Sequence, residues 1–139
     1  MPNRKDTTME ISGKFDVKLE PLDAATEGRD GIAMGRMAID KSYHGGLEAR
    51  SRGEMLTVMT EVKGSAGYVA VEQVSGTLSG RKGSFVLQHY GTMKGGGEFL
   101  MLAVVPDSAT GELVGLSGKM VIHIDEGQHF YEFDYNLPD

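Results

Sequence analysis

The chain has 139 residues, enough for one domain with a real core, and 40% of them are hydrophobic against 24% charged. A formal net charge of −6 counts against a nucleic-acid surface, and no apolar run approaches the ~18 residues a membrane helix needs. The absence of cysteine removes disulfides, thiol nucleophiles and thiolate metal ligands, and leaves the cytoplasm as the expected location.

The N-terminal "MPNRKDTTMEISG" has no apolar stretch and does not read as a signal peptide. Residues 1–8 are expected to be disordered, with a single domain over 9–137. Glycine is the compositional anomaly, 20 of 139, and its spacing marks tight turns between alternating segments. Met9, Ile11, Phe15, Val17 and Leu19 alternate with polar residues, which predicts a half-buried strand. "EPLDAATEGRDG" (20–31) reads as a polar loop. Further strands are predicted over 32–43, 47–60, 67–78, 83–94, 97–105, 116–125 and 128–137.

Charge suggests the first hairpin register. A three-residue His44–Gly46 loop sets Tyr43 against Leu47, Asp40 against Arg50 and Arg36 against Glu54. A two-residue Gly-Gly loop would instead set Lys41 against Arg50. Between 67–78 and 83–94, a four-residue Gly80–Gly83 loop is expected to pair Leu78 with Phe85 and Glu72 with Gly91. The next hairpin, through Lys94–Gly97, adds Glu98, Leu100 and Leu102 to the same wall. "GELVGLSG" (111–118) reads as a bulged strand entry. The last hairpin is expected to turn at Glu126-Gly127, opposing Ile124 to His129, Ile122 to Tyr131 and Met120 to Phe133.

Eight sequential strands, short turns and no helical segment to cover a sheet point to an all-β fold with little helix. The expected architecture is a single closed antiparallel barrel of about eight strands, lipocalin-like in its up-and-down order, with a two-sheet sandwich as the alternative.

Four segments carry a family resemblance: "GRMAIDKSYHGGLEARSRGEML", "KGSAGYVAVEQVSGTLSGRKGSFVLQHYGTM", "VVPDSATGELVGLSG" and "GQHFYEFDYNL". Together they resemble the small bacterial proteins grouped as domain of unknown function family 3224, over about Met9 to Leu137. The resemblance implies a closed antiparallel barrel similar to that of allene oxide cyclases and dirigent proteins, and implies no established activity.

Most chemical motifs are missing. There is no H-x-H or H-E-x-x-H, so no metal site is expected, and no cofactor motif is present. No G-x-S-x-G elbow exists. His44 sits in a Gly-Gly turn, where solvation is the plain reading.

One constellation stands out. On 67–78 the positions Tyr68, Ala70, Val74 and Leu78 form an apolar face that also carries Glu72. On 83–94 the face of Phe85, Leu87 and Met93 carries His89. The expected register makes Glu72 and His89 diagonal neighbours, with Cβ atoms about 7–8 Å apart or less. They are the candidate catalytic pair, and Tyr68, Glu72, His89, Met93, Leu102 and Tyr131 are the candidate ligand-binding residues.

Three functions fit. The first is a barrel that binds a small, mostly apolar ligand. The second is a cyclase- or isomerase-type enzyme using Glu72 and His89 as an acid/base pair. The third is a packed barrel with a structural or interaction role. Outward Val86, Tyr90, Phe99, Met101 and Ala103 are apolar enough to suggest a homodimer interface.

Overall fold

The computed structural model describes residues 8–138, and the expected disordered segment 1–8 lies outside them except for Thr8. Eight strands follow one another: β1 (Met9–Leu22), β2 (Ala33–Gly45), β3 (Leu47–Met59), β4 (Ala66–Leu78), β5 (Arg81–Lys94), β6 (Gly97–Val104), β7 (Ser117–Asp125) and β8 (Gln128–Asn136). Each pairs antiparallel with the next, and β8 returns to β1, from Met9↔Tyr135 to Phe15↔His129, to close the barrel. All-β closure is therefore as the alternation and short turns indicate.

β1 extends past its expected end to Leu22, with Pro21 paired to Met37. Proline is tolerated there because β8 pairs with β1 only as far as Phe15, so the missing N–H faces no partner.

Two hairpin registers differ from expectation. β2 and β3 pair Tyr43 with Ala49 and Asp40 with Arg52, two residues away from the charge-matched register. The reason is a side chain from β8, reaching over Gly13 of the intervening β1. The Tyr131 hydroxyl accepts from the Leu47 N–H (3.0 Å) and shares its single hydrogen between the carbonyls of His44 (3.0 Å) and Leu47 (3.2 Å), taking the groups a tighter loop would use on itself. The ion pairs survive as diagonals, Arg36–Glu54 at 2.8 Å and Arg50–Asp40 at 3.2 Å.

β4 and β5 turn on two residues, Ser79 and Gly80, rather than four, so Leu78 opposes Arg81 and Glu72 opposes Leu87. Both turn residues are left-handed (φ 48° and 85°), the geometry that matches strand twist. Ser79 is fastened there by its N–H to Gly46 O (2.9 Å) and by its hydroxyl to that of Tyr135 (3.0 Å). The Glu126-Gly127 turn and its register are as expected, with φ of 50° and 83°. So is Lys94↔Gly97. The "GELVGLSG" segment is no strand entry: Gly111–Leu113 forms a 3-10 turn, and β7 begins at Ser117.

The two ends of the barrel differ. One is packed with Phe15, Tyr43, Leu47, Phe85, Phe133 and Tyr135, and the β6–β7 connection folds Leu113 and Leu116 into it. That connection is tied to β5 by Ser84–Thr110 hydroxyl contact (2.6 Å) and by the Lys82 N–H donating to Glu112 (2.8 Å). The wall is uneven as well. β6 and β7 share two registered pairs, Leu102↔Met120 and Ala103↔Lys119, below strand ends that run on unpaired toward the other mouth.

Tyr131→Phe leaves a buried Leu47 N–H without its acceptor. The expected cost is about 1–3 kcal/mol in urea unfolding, with the barrel retained.

Candidate functional site

Both register differences are even numbers of residues, so every side chain keeps its face. His89 pairs with Ala70 and Glu72 with Leu87, which leaves Glu72 and His89 diagonal on the inner wall. The His89 Nε2 to Glu72 Oε2 distance is 2.5 Å.

The pair is part of a larger cluster across four neighbouring strands. From β2, Lys41 Nζ donates to Glu72 Oε2 (2.8 Å), and the Tyr43 hydroxyl donates to Oε1 (2.7 Å). From β3, the Ser51 hydroxyl also donates to Oε1 (2.6 Å). Each carboxylate oxygen thus accepts two hydrogen bonds. Lys41, Tyr43, Ser51, Glu72 and His89 are all 5% exposed or less. A charge so buried is tolerable only when paired and fully hydrogen-bonded, and this one is both.

Electrostatics follow from the contacts. Burial alone would raise the Glu72 pKa. The His89 hydrogen bond and the Lys41 charge outweigh it and bring the carboxyl down to about 2. Burial, then the Glu72 charge and hydrogen bond, push the Tyr43 phenol well above its usual value. Burial, then Glu72 and Glu98, push Tyr68 up to about 12, so both phenols stay protonated at neutral pH.

Above the cluster the barrel is hollow. A cavity of about 410 Å³ has Phe15, Val17, Ile39, Leu100 and Ile122 in its walls, with Lys41, Tyr68, His89, Glu98, His123 and His129 also lining it. A second hollow of about 490 Å³ shares Met55, Tyr68, Glu98 and Leu100 with the first and adds Met37, Met59, Met93 and the 60–67 segment. Room for the Tyr68 ring comes from its cross-strand partner Gly91, where a Cβ would sit 2.6 Å from the ring.

Of the six candidate ligand residues, Tyr68 and His89 line the first cavity, and Tyr68 and Met93 the second. Glu72 lies behind Lys41 and His89, outside either lining. Leu102 (1% exposed) and Tyr131 (0%) belong to the packed end. Sequence reasoning missed Lys41, Tyr43 and Ser51. The signal was present: in "IDKSY" (39–43), alternation puts Lys41 on the face of Ile39 and Tyr43. Among the described residues no group of three His, Cys, Asp or Glu side chains could hold a metal, and no helix is long and apolar enough to cross a membrane.

Residues 11–135 match the family described as "Protein of unknown function (DUF3224)". The chain is similar to a solved structure of a protein with unknown function from the DUF3224 family of Shewanella oneidensis MR-1. Identity is 58%, over 96% of this chain and 99% of that one, with a TM-score of 0.93. No curated protein matches the chain.

The folded Glu72 carboxyl, at about 2, lies below its ordinary 4.5, so the native state binds this proton less readily than the unfolded chain. The resulting stability, on the order of 3 kcal/mol, is present above pH 4.5 and is lost as pH falls toward 2. Carboxyl ¹³C NMR should give Glu72 a midpoint of about 2; a midpoint at or above 4.5 would mean that desolvation dominates the site.

Proposed function

We propose, for a chain that belongs to the DUF3224 family, that the open half of the barrel binds a small, mostly apolar molecule. The observation that carries this reading is the hollow itself. A cavity of about 410 Å³ has apolar walls and is also lined by two nearly buried polar groups, Lys41 and His89. That is the size and composition of small-molecule sites, where a few polar groups orient an apolar body. The methionines Met37, Met55, Met59 and Met93 suit it, because an unbranched thioether adapts to the shape beside it.

A second reading, a cyclase- or isomerase-type enzyme, is favoured by one contact. Glu72 orients the His89 ring through Nε2, while Nδ1 lies 3.5 Å from the Tyr68 hydroxyl in the cavity wall. In that reading Glu72 is the orienting carboxylate, and His89 is the group that moves the proton.

A second copy of the chain is the partner we propose. On the outer face of β4–β6, Val69, Tyr90 and Met101 stand in one cross-strand row. Gly67, Thr92 and Phe99 flank it on one side, and Val71, Gln88 and Ala103 on the other. These nine positions carry no charge in a protein of net −6, so two copies can meet here with the least like-charge repulsion. Val69, Val71, Tyr90, Phe99 and Met101 are 43–51% exposed, and the Tyr90 and Phe99 rings meet edge to face at 5.7 Å. An isologous contact needs such a self-complementary face.

Nile red, a neutral apolar dye, should bind saturably at one per chain. Met55→Trp, which fills space shared by both hollows, should weaken binding at least tenfold, while Lys18→Trp on the outer wall should leave it unchanged. Absence of saturable binding, or a Met55→Trp variant that binds as well as the original, would overturn the cavity reading. Sedimentation at tens of micromolar should show a dimer that Met101→Glu converts to monomer; a dimer surviving that change would place the interface elsewhere.

A further inference from the structure

We infer that the floor of the cavity selects a neutral head group able both to accept and to donate a hydrogen bond, such as a primary amide, an alcohol or an undissociated carboxylic acid. This rests on the binding reading above and adds which end of an apolar molecule the site would read.

Counting hydrogen-bond capacity leads to it. The Lys41 ammonium has three N–H donors. One goes to Glu72 Oε2 (2.8 Å) and one to the Tyr43 hydroxyl (3.3 Å). The third has no acceptor among the described residues, only the faces of the Phe15 and Tyr43 rings, 4.8 and 5.5 Å away. His89 Nε2 faces the same Glu72 oxygen, and in its uncharged form the ring donates there and leaves Nδ1 as an acceptor. Its neighbour there is the Tyr68 hydroxyl at 3.5 Å, the outer limit of a hydrogen bond. A free donor and an under-used acceptor therefore flank one carboxylate oxygen, on two side chains that line the cavity and are 5% and 4% exposed.

Charge decides which head group can use them. With the His89 ring uncharged, Lys41 and Glu72 cancel and the floor is neutral. A carboxylate would bring a further negative charge into a hollow already lined by Glu98, and an ammonium that reached the floor would meet the Lys41 cation. An ester offers an acceptor to Lys41 but no donor to His89 Nδ1, which would keep only its 3.5 Å contact with the Tyr68 hydroxyl.

The test uses the unmodified protein with Nile red bound, at pH 8, and five eight-carbon competitors. Octanamide and 1-octanol should displace the dye at least tenfold more tightly than methyl octanoate, octanoate and octylamine. With ¹⁵N-labelled histidine, octanamide should move the His89 Nδ1 resonance and octylamine should not. If methyl octanoate, octanoate or octylamine competes as well as octanamide, or if the His89 nitrogens stay still, the inference fails while the cavity reading stands. The inference also fails if none of the five displaces a dye that binds. If Nile red itself does not bind, both fall together.

Discussion

A carboxylate carried to the middle of a barrel must collect enough donors there to replace the water it left. Glu72 collects them from β2, β3 and β5, and the requirement organises the molecule. Four adjacent strands are locked in lateral register at the waist. Lys41, too deep to extend to solvent, has its counter-ion 2.8 Å away. Below this belt the aromatic core is packed. Above it, the same inner faces enclose a void, so the belt is the floor of one compartment and the ceiling of the other.

The division shows in side-chain size just above the belt. Read toward the open mouth, the inner face of β5 runs Phe85, Leu87, His89, Gly91, Met93, and that of β4 runs Leu78, Gly76, Val74, Glu72, Ala70, Tyr68. The residues next above Glu72 and His89 are the small Ala70 and Gly91, and there the packing stops. A core of uniform size would have closed the hollow.

Faces were legible in the sequence where registers were not. Period-two alternation placed Glu72 and His89 inside, and an even slip cannot move a side chain across the sheet. Their adjacency survived a four-residue register difference because His89 is diagonal to Glu72 whether the opposing residue is Gly91 or Leu87. The slips came from tertiary contacts that no hairpin shows on its own: the Tyr131 hydroxyl lodged in the β2–β3 turn, and Ser79 fastened to Tyr135 and Gly46. The rest of the cluster was missed for a different reason. A lysine in a strand suggests solvent, and only a second buried charge opposite it, on a strand more than thirty residues away in sequence, reveals that it points inward.

The two-pair junction of β6 with β7 bears on the mouth. At the waist the strands form an unbroken ring, whose bore is set by strand number and stagger. Toward the opening, Glu98 and Leu100 on one side and Ile122 and Ile124 on the other border the hollow without pairing to each other. The upper barrel is thus a split collar on a closed ring. A collar of this kind can spread without giving up a single ladder hydrogen bond, so the girth of what it admits is not limited by the ring beneath it.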